Sequence, residues 1–303
     1  MTHRAGSTAR SGGGGGSDNS GGPGPVELTA PAKLTVSLRV TGRRPDGFHL
    51  LESVMVSLDL ADTLVVGDGE GVSIEEEFSG VGLTGGVSPG PDNLITRALV
   101  AVGRTARVHL VKRVPPGAGL GGGSADAAAI LRWSGIRDPA LAAGLGSDVP
   151  FCLVGGRALV RGAGEEVAPL PFEEQAYTLF LLPFGMDTRA VYRAWDRLHP
   201  AGGRPEPAAA AGVSVPPGVN DLEDAALDVE PRLGAWRDHL ARLTGRRPWL
   251  AGSGSTWFVA GTPEESGLDG RAEVTLGSER ALVVPVRTVP TGWPGADLPP
   301  GRA

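Results

Sequence analysis

The chain has 303 residues, with 28 basic and 34 acidic side chains and a net charge of −6. That balance excludes a strong polyanion binder, which needs a surplus of clustered cations, so nucleic acid is not an expected partner. One cysteine, Cys152, excludes an intrachain disulfide framework and any multi-cysteine metal site.

Residues 1–25 hold nine glycines, four serines and two prolines with no apolar run, so a disordered tail is expected. The tail has no apolar stretch of the kind a secretory signal carries. Nothing in the chain approaches the roughly 20 consecutive apolar residues of a spanning helix, so no membrane partner is expected and the location is read as cytoplasmic. Ala32–Val40 alternates: Leu34, Val36, Leu38 and Val40 on one face, Lys33, Thr35, Ser37 and Arg39 on the other. Period two predicts a half-buried strand. Pro45-Asp46-Gly47 is turn chemistry, and Ser53–Leu60 repeats the alternation. Further strands are expected at Thr63–Val66, Val72–Glu76, Arg107–Val111, Ala158–Arg161, Thr178–Leu182, Thr256–Val259 and Ala281–Val286. Helices are expected at Asn93–Val102, Ser124–Trp133, Arg189–Leu198, Leu222–Leu227 and Arg232–Leu243, and a loop at Glu206–Gly212. The elements mix without strict alternation, which points to an α+β fold. From about Thr291 the chain is rich in proline and glycine and is expected to be loose.

The strongest signal is Pro115-Pro116-Gly117-Ala118-Gly119-Leu120-Gly121-Gly122-Gly123-Ser124, followed by the helical stretch from Ala125. Glycines between a strand and a helix let the backbone approach a ligand closely. The helix start adds unpaired N–H groups and a positive dipole end, so the segment reads as a phosphate site; the bland alternative is a flexible linker. The Walker pattern fails, because Gly123 stands where lysine is required. Gly117, Gly119 and Gly122 meet the dinucleotide spacing, but Gly135-Ile136-Arg137-Asp138-Pro139 is not the second strand that such a unit needs.

Pro-x-Gly-x-Gly-Leu-Gly followed by small residues and Ser124-Ala125 resembles the phosphate-binding signature of the GHMP kinases, which phosphorylate small metabolites with ATP. Ala30-Pro31-Ala32-Lys33-Leu34 resembles that family's N-terminal motif, and Leu250-Ala251-Gly252-Ser253-Gly254-Ser255-Thr256 its C-terminal glycine motif. Thr41–His49, Gly146–Phe151 and Asn220-Asp221-Leu222-Glu223 resemble the branch that acts on a cytidyl-bearing alcohol in isoprenoid precursor synthesis. The resemblance implies a two-lobed α+β fold, with a ribosomal-protein-S5-like N-terminal lobe at 26–162 and a ferredoxin-like C-terminal lobe at 163–289, between tails at 1–25 and 290–303. Mevalonate, homoserine or sugar kinases of the same family, and a non-catalytic nucleotide-binding relative, are the alternatives.

The resemblance also implies roles. Asp148 is the carboxylate that takes the hydroxyl proton; on spacing alone a turn or capping aspartate is its ordinary reading. Lys33 is the ammonium that pairs with it and neutralises charge on the transferring group. Pro115 to Ala125 hold ATP, and Mg²⁺ travels with the nucleotide, within reach of Ser124. Phe48 and Tyr192 sandwich the cytosine and His49 reads its edge, although a helix-face aromatic and a turn histidine are the ordinary readings of Tyr192 and His49. Phe48 stands where the family often has tyrosine, Arg189 where it often has proline, and Ile130–Gly146 is short. The basic residues are 26 arginines and two lysines, Lys33 and Lys112. That scarcity marks both as places where a compact ammonium is required; Lys112 either supports the nucleotide or is a strand-end charge.

Overall fold

The computed structural model describes residues 24–77, 86–200 and 216–291. The N-terminal tail up to residue 23, the C-terminal tail from residue 292 and the Glu206–Gly212 loop lie outside the described residues. Two long strands, β1 (Val26–Arg43) and β2 (His49–Gly67), form an antiparallel pair around the turn at Pro45-Asp46-Gly47. They are followed by β3 (Gly71–Glu76), α1 (Leu94–Ala101), β4 (Arg107–Lys112), α2 (Gly122–Trp133), α3 (Pro139–Leu145), α4 (Val149–Val154), β5 (Arg157–Gly162) and β6 (Glu166–Pro169). The remainder is β7 (Ala176–Leu181), α5 (Thr188–Leu198), α6 (Glu223–Val229), α7 (Arg232–Thr244), β8 (Trp249–Leu250), β9 (Trp257–Ala260), β10 (Glu273–Leu276) and β11 (Glu279–Val289).

Every strand and helix expected from the sequence is present, with one merger: Ser53–Leu60 and Thr63–Val66 are parts of β2. β6, β8, β10, α3 and α4 have no counterpart in the sequence reading. They are two to seven residues long, too short for a period to declare itself. α3 does carry a local signal: Asp138 accepts from the Ala140 N–H at 2.8 Å and Pro139 fills the first turn.

The eleven strands among the described residues connect in one sheet, running β3-β4-β2-β11-β7-β9-β8 with β1, β5, β6 and β10 attached at the sides. β1 covers one edge of β2, while β5, β11 and β4 share the other edge in turn. Three apolar cores result. One packs α1 to α4 against the N-terminal strands, one packs α5 to α7 against β7, β9, β10 and β11, and one fills the space between. β1 threads all three: Leu28 and Ala30 lie in the first, Ala32, Leu34 and Val36 in the third, Leu38 and Val40 in the second.

The expected half-buried strand at Ala32–Val40 is instead buried on both faces from Ala32 to Leu38. Alternation identifies which side chains share a face, but not what covers that face. Here the glycine-rich segment lies over the polar side, and the Lys33 N–H donates to the Leu120 carbonyl at 2.9 Å.

Candidate active site

The glycine-rich segment is a shaped loop. Gly117, Gly119 and Gly121 hold φ of 71°, 85° and 67°, a region closed to most side chains. Backbone bonds tie the loop to the second half of the chain: Met186 N–H to the Gly117 carbonyl at 3.1 Å, and Thr256 N–H to the Ala118 carbonyl at 3.2 Å. α2 begins at Gly122 behind Gly121, and no side chain caps its first turn. Its leading N–H groups therefore remain available to an anion, which is what a phosphate site requires.

The C-terminal glycine motif closes against this loop. A Cβ on Gly119 would stand 2.8 Å from Gly254 Cα, so both residues must lack a side chain. Asn220 secures the motif by donating to the Gly252 carbonyl at 2.7 Å and the Leu250 carbonyl at 3.1 Å. Its neighbour Asp221 accepts from the Val40 N–H at 3.0 Å. The Asn220-Asp221 motif thus ties β1 to the glycine turn.

Lys33 lies under the loop, with a Cβ on Gly121 only 2.7 Å from Lys33 Cγ. It is 6% exposed. Its Nζ donates to Thr35 Oγ1 at 3.0 Å and stands 3.3 Å from Asp148 Oδ2. Asp148 occupies the position before α4, yet its side chain makes no capping bond. The capping alternative therefore does not describe it; the carboxylate is turned to Lys33.

Lys112, the last residue of β4, is 2% exposed and is no strand-end surface charge. Its Nζ pairs with Asp62 and, at 3.1 Å, with Asp126 Oδ2. A Cβ on Gly122 would stand 2.6 Å from that Nζ, so Lys112 lies directly behind the start of α2. Burial pushes the Lys112 ammonium down, but the two carboxylates outweigh it and the net shift is upward. Asp62 also accepts from the Arg113 and Val114 N–H groups at 2.6 and 2.8 Å, which fixes the chain entering the loop.

A second cluster stands farther along the cleft. His49 Nε2 lies 2.7 Å from Asp196 Oδ1, and the imidazole stacks on Tyr192 at 4.7 Å. Phe48 is 56% exposed, with the Arg44 guanidinium 5.6 Å from its ring. The structure thus brings His49 and Tyr192 face to face, with Phe48 exposed at the rim of the cleft that all three line. Burial, reinforced by the Asp148 carboxylate, pushes the Tyr192 hydroxyl up. Phe48, His49, Tyr192 and Asp196 line one cleft of about 1160 Å³ with Lys33, Asp148, Ser124 and most of the loop, whereas the side chains of Ala118, Leu120 and Ala125 are buried in the core instead. Arg189 lines it as well, on the same helix as Tyr192. Among the described residues no three His, Cys, Asp or Glu side chains group as a metal site, and no helix is long and apolar enough to cross a membrane.

Residues 93–135 match the family described as the GHMP kinases N terminal domain. A 4-diphosphocytidyl-2-C-methyl-D-erythritol kinase of Paracoccus denitrificans is 41% identical over 243 residues, 76% of this chain and 84% of that protein. One from Heliobacterium modesticaldum is 34% identical over 308 residues, 87% of this chain and 96% of that protein. The chain belongs to the 4-diphosphocytidyl-2-C-methyl-D-erythritol kinase family of GHMP kinases. A crystal structure of a 4-(cytidine 5'-diphospho)-2C-methyl-D-erythritol kinase matches at TM-score 0.62 and 31% identity, over 87% of this chain and all of that one. A Methanococcus jannaschii mevalonate kinase, at 10% identity and TM-score 0.52, shares the fold. The α+β GHMP kinase architecture is therefore the fold of this chain.

Three carboxylates escaped sequence reasoning: Asp126 and Asp196, which line the cleft, and Asp62, buried behind Lys112. Asp126 lies two residues beyond Ser124, on the buried side of α2, where an aspartate among alanines is out of place. That was the available signal. Asp62 and Asp196 sit in ordinary strand and helix patterns and carried none.

Proposed function

We propose that the chain transfers the γ-phosphate of ATP to the 2-hydroxyl of 4-diphosphocytidyl-2-C-methyl-D-erythritol, in isoprenoid precursor synthesis in the cytoplasm. The observation that carries this reading is the Lys33–Asp148 pair, 3.3 Å apart, in one cleft with the glycine loop and the His49–Tyr192 stack. The lobes at 26–162 and 163–289 would flank that cleft.

The chemistry is positioning and charge neutralisation. The N–H groups of the loop and the α2 start would hold the phosphates. Asp148 would accept the hydroxyl proton as the substrate oxygen bonds to the γ-phosphorus. The bond from that phosphorus to the β–γ bridging oxygen breaks, and ADP leaves. The Lys33 ammonium, held by Thr35 and Asp148, would offset charge on the transferring phosphoryl oxygens. A Mg²⁺ ion bound with ATP would supply further charge neutralisation. The hydroxyl of Ser124, which lines the cleft, suits a hard oxygen-seeking cation that keeps most of its contacts with phosphate and water.

The test is an ADP-release assay with the cytidyl alcohol, mevalonate, homoserine and a simple sugar. Turnover with the cytidyl substrate alone is expected. Preference for a substrate without cytidine would overturn the assignment, and ATP binding without transfer to any of them would point to a non-catalytic relative.

A further inference from the structure

A second cavity, of about 160 Å³, lies where the ends of α2, α4 and β11 meet β1, and it shares no lining residue with the cleft. Arg132, in the last turn of α2, lines it together with Arg137. The Arg132 guanidinium donates to the Cys152 carbonyl at 2.6 Å and the Thr29 carbonyl at 3.2 Å, which uses two of its five N–H groups. Arg137 donates to the carbonyls of Arg132 and Ile136. Among the described residues neither arginine is paired with a carboxylate, whereas Lys33, Lys112 and Arg161 each reach one. Burial, reinforced by the Arg137 charge, pulls the Arg132 guanidinium down to about 10. Two cations that disfavour one another beside a cavity, in a chain of net charge −6, leave room for an anion between them.

We propose that this cavity is a binding site for a small phosphate monoester, with Arg132 and Arg137 holding the phosphate and Pro31, Leu153 and Val289 receiving a short apolar body. A phosphate monoester carries roughly two negative charges and three acceptor oxygens, which match two guanidiniums. The Ser57 hydroxyl adds a donor: it accepts from the Gly156 N–H at 3.1 Å and gives its own proton to no partner among the described residues. A carboxylate brings a single charge and would leave one cation unmatched. The structural duty of Arg132, tying β1 to α4, is done by its two carbonyl bonds and has no need of Arg137. α4 separates this site from the transfer chemistry, because Asp148 precedes its first residue while Cys152, Leu153 and Val154 at its other end border the cavity.

The test is calorimetry of the full chain at pH 7.5 with propyl phosphate and with butyrate, the cleft being filled by a non-hydrolysable ATP analogue. Propyl phosphate is expected to bind at a single site per chain, and butyrate about tenfold more weakly or less. Arg137→Gln should lower the propyl phosphate affinity by about tenfold or more, while Lys33→Ala, in the cleft, leaves it unchanged. Arg137 is exposed and lines no part of the cleft, so this variant is expected to fold and to keep wild-type turnover. No binding of propyl phosphate, an affinity untouched by Arg137→Gln, or a loss in Lys33→Ala would each overturn the site. Butyrate binding as tightly as propyl phosphate would overturn its assignment to a phosphate. An ATP analogue that fails to bind would count against the kinase reading alone, and the two variants would still decide this one.

Discussion

Lys112 Nζ meets Asp126 Oδ2 at 3.1 Å directly behind Gly122, while the second Asp126 oxygen is buried without a hydrogen-bond partner. Burial pushes the Asp126 carboxyl up to about 7, against the pull of Lys112 and with the push of Asp62. A folded-state value above the unfolded one gives stability that is complete below the ordinary carboxylate range and is lost as pH rises through about 7. Asp126→Asn lacks that loss. Relative to wild type it should therefore gain about 3 kcal/mol between pH 5 and pH 8. Urea unfolding at the two pH values reads the difference, and a gap that stays constant with pH would contradict it.

The Lys33–Asp148 pair leads to a kinetic expectation. Asp148→Asn and Lys33→Ala should each lower kcat by about 10²–10⁴, with KM for ATP changed only a few-fold, because the loop backbone makes the phosphate contacts. Lys33→Arg should not rescue activity, since the side chain is 6% exposed beneath the Gly121 backbone and a planar guanidinium cannot take the place of a compact ammonium between Thr35 and Asp148. Steady-state rates beside circular dichroism spectra separate chemistry from misfolding.

The contact between Gly119 and Gly254 leaves no space for a methyl group, whose neighbours would be backbone atoms on the opposite side. Gly254→Ala should cost about 2 kcal/mol or more of stability and raise KM for ATP. Thermal unfolding with and without ATP checks both effects. Gly245→Ala, at a helix end with open space around it, is the control for backbone strain alone.

Cys152 should be inert. Burial, with the Asp148 carboxylate nearby, pushes its thiol up to about 12, so the reactive thiolate is scarce at neutral pH. Iodoacetamide should label it slowly in the native protein at pH 7.5 and at ordinary thiol rates in 6 M guanidinium. Rapid native labelling would show that this part of α4 opens.

The phosphate loop was legible because its signal is local: a strand, spaced glycines and a helix within thirty residues. Lys33 was legible through scarcity, as one of two lysines beside 26 arginines. Scarcity marked Lys112 equally well but said nothing of Asp62, fifty positions away, or of Asp126. The His49–Asp196 bond spans 147 positions and joins two unremarkable segments. Phe48 and His49 are adjacent on the chain, and only the turn decides that His49 is the one stacked on Tyr192 while Phe48 stays exposed. Local patterning finds backbone sites well and long-range carboxylate partners poorly.

β2 bears on how the molecule comes into being. Its middle residues Leu58 and Ser57 pair with Thr288 and Val289 of β11, and Asp59 accepts from the Arg287 N–H across 228 positions. The first hairpin is made within moments of synthesis, but the strand that completes its other edge is among the last parts to leave the ribosome. Until then the middle of β2 presents an unpaired edge, a template for wrong partners. A high-contact-order closure of this kind is slow. β11 must join β2 to β7 before the sheet behind the cleft is continuous, so nascent chains truncated before β11 would hold the loop and Lys33 without a competent site.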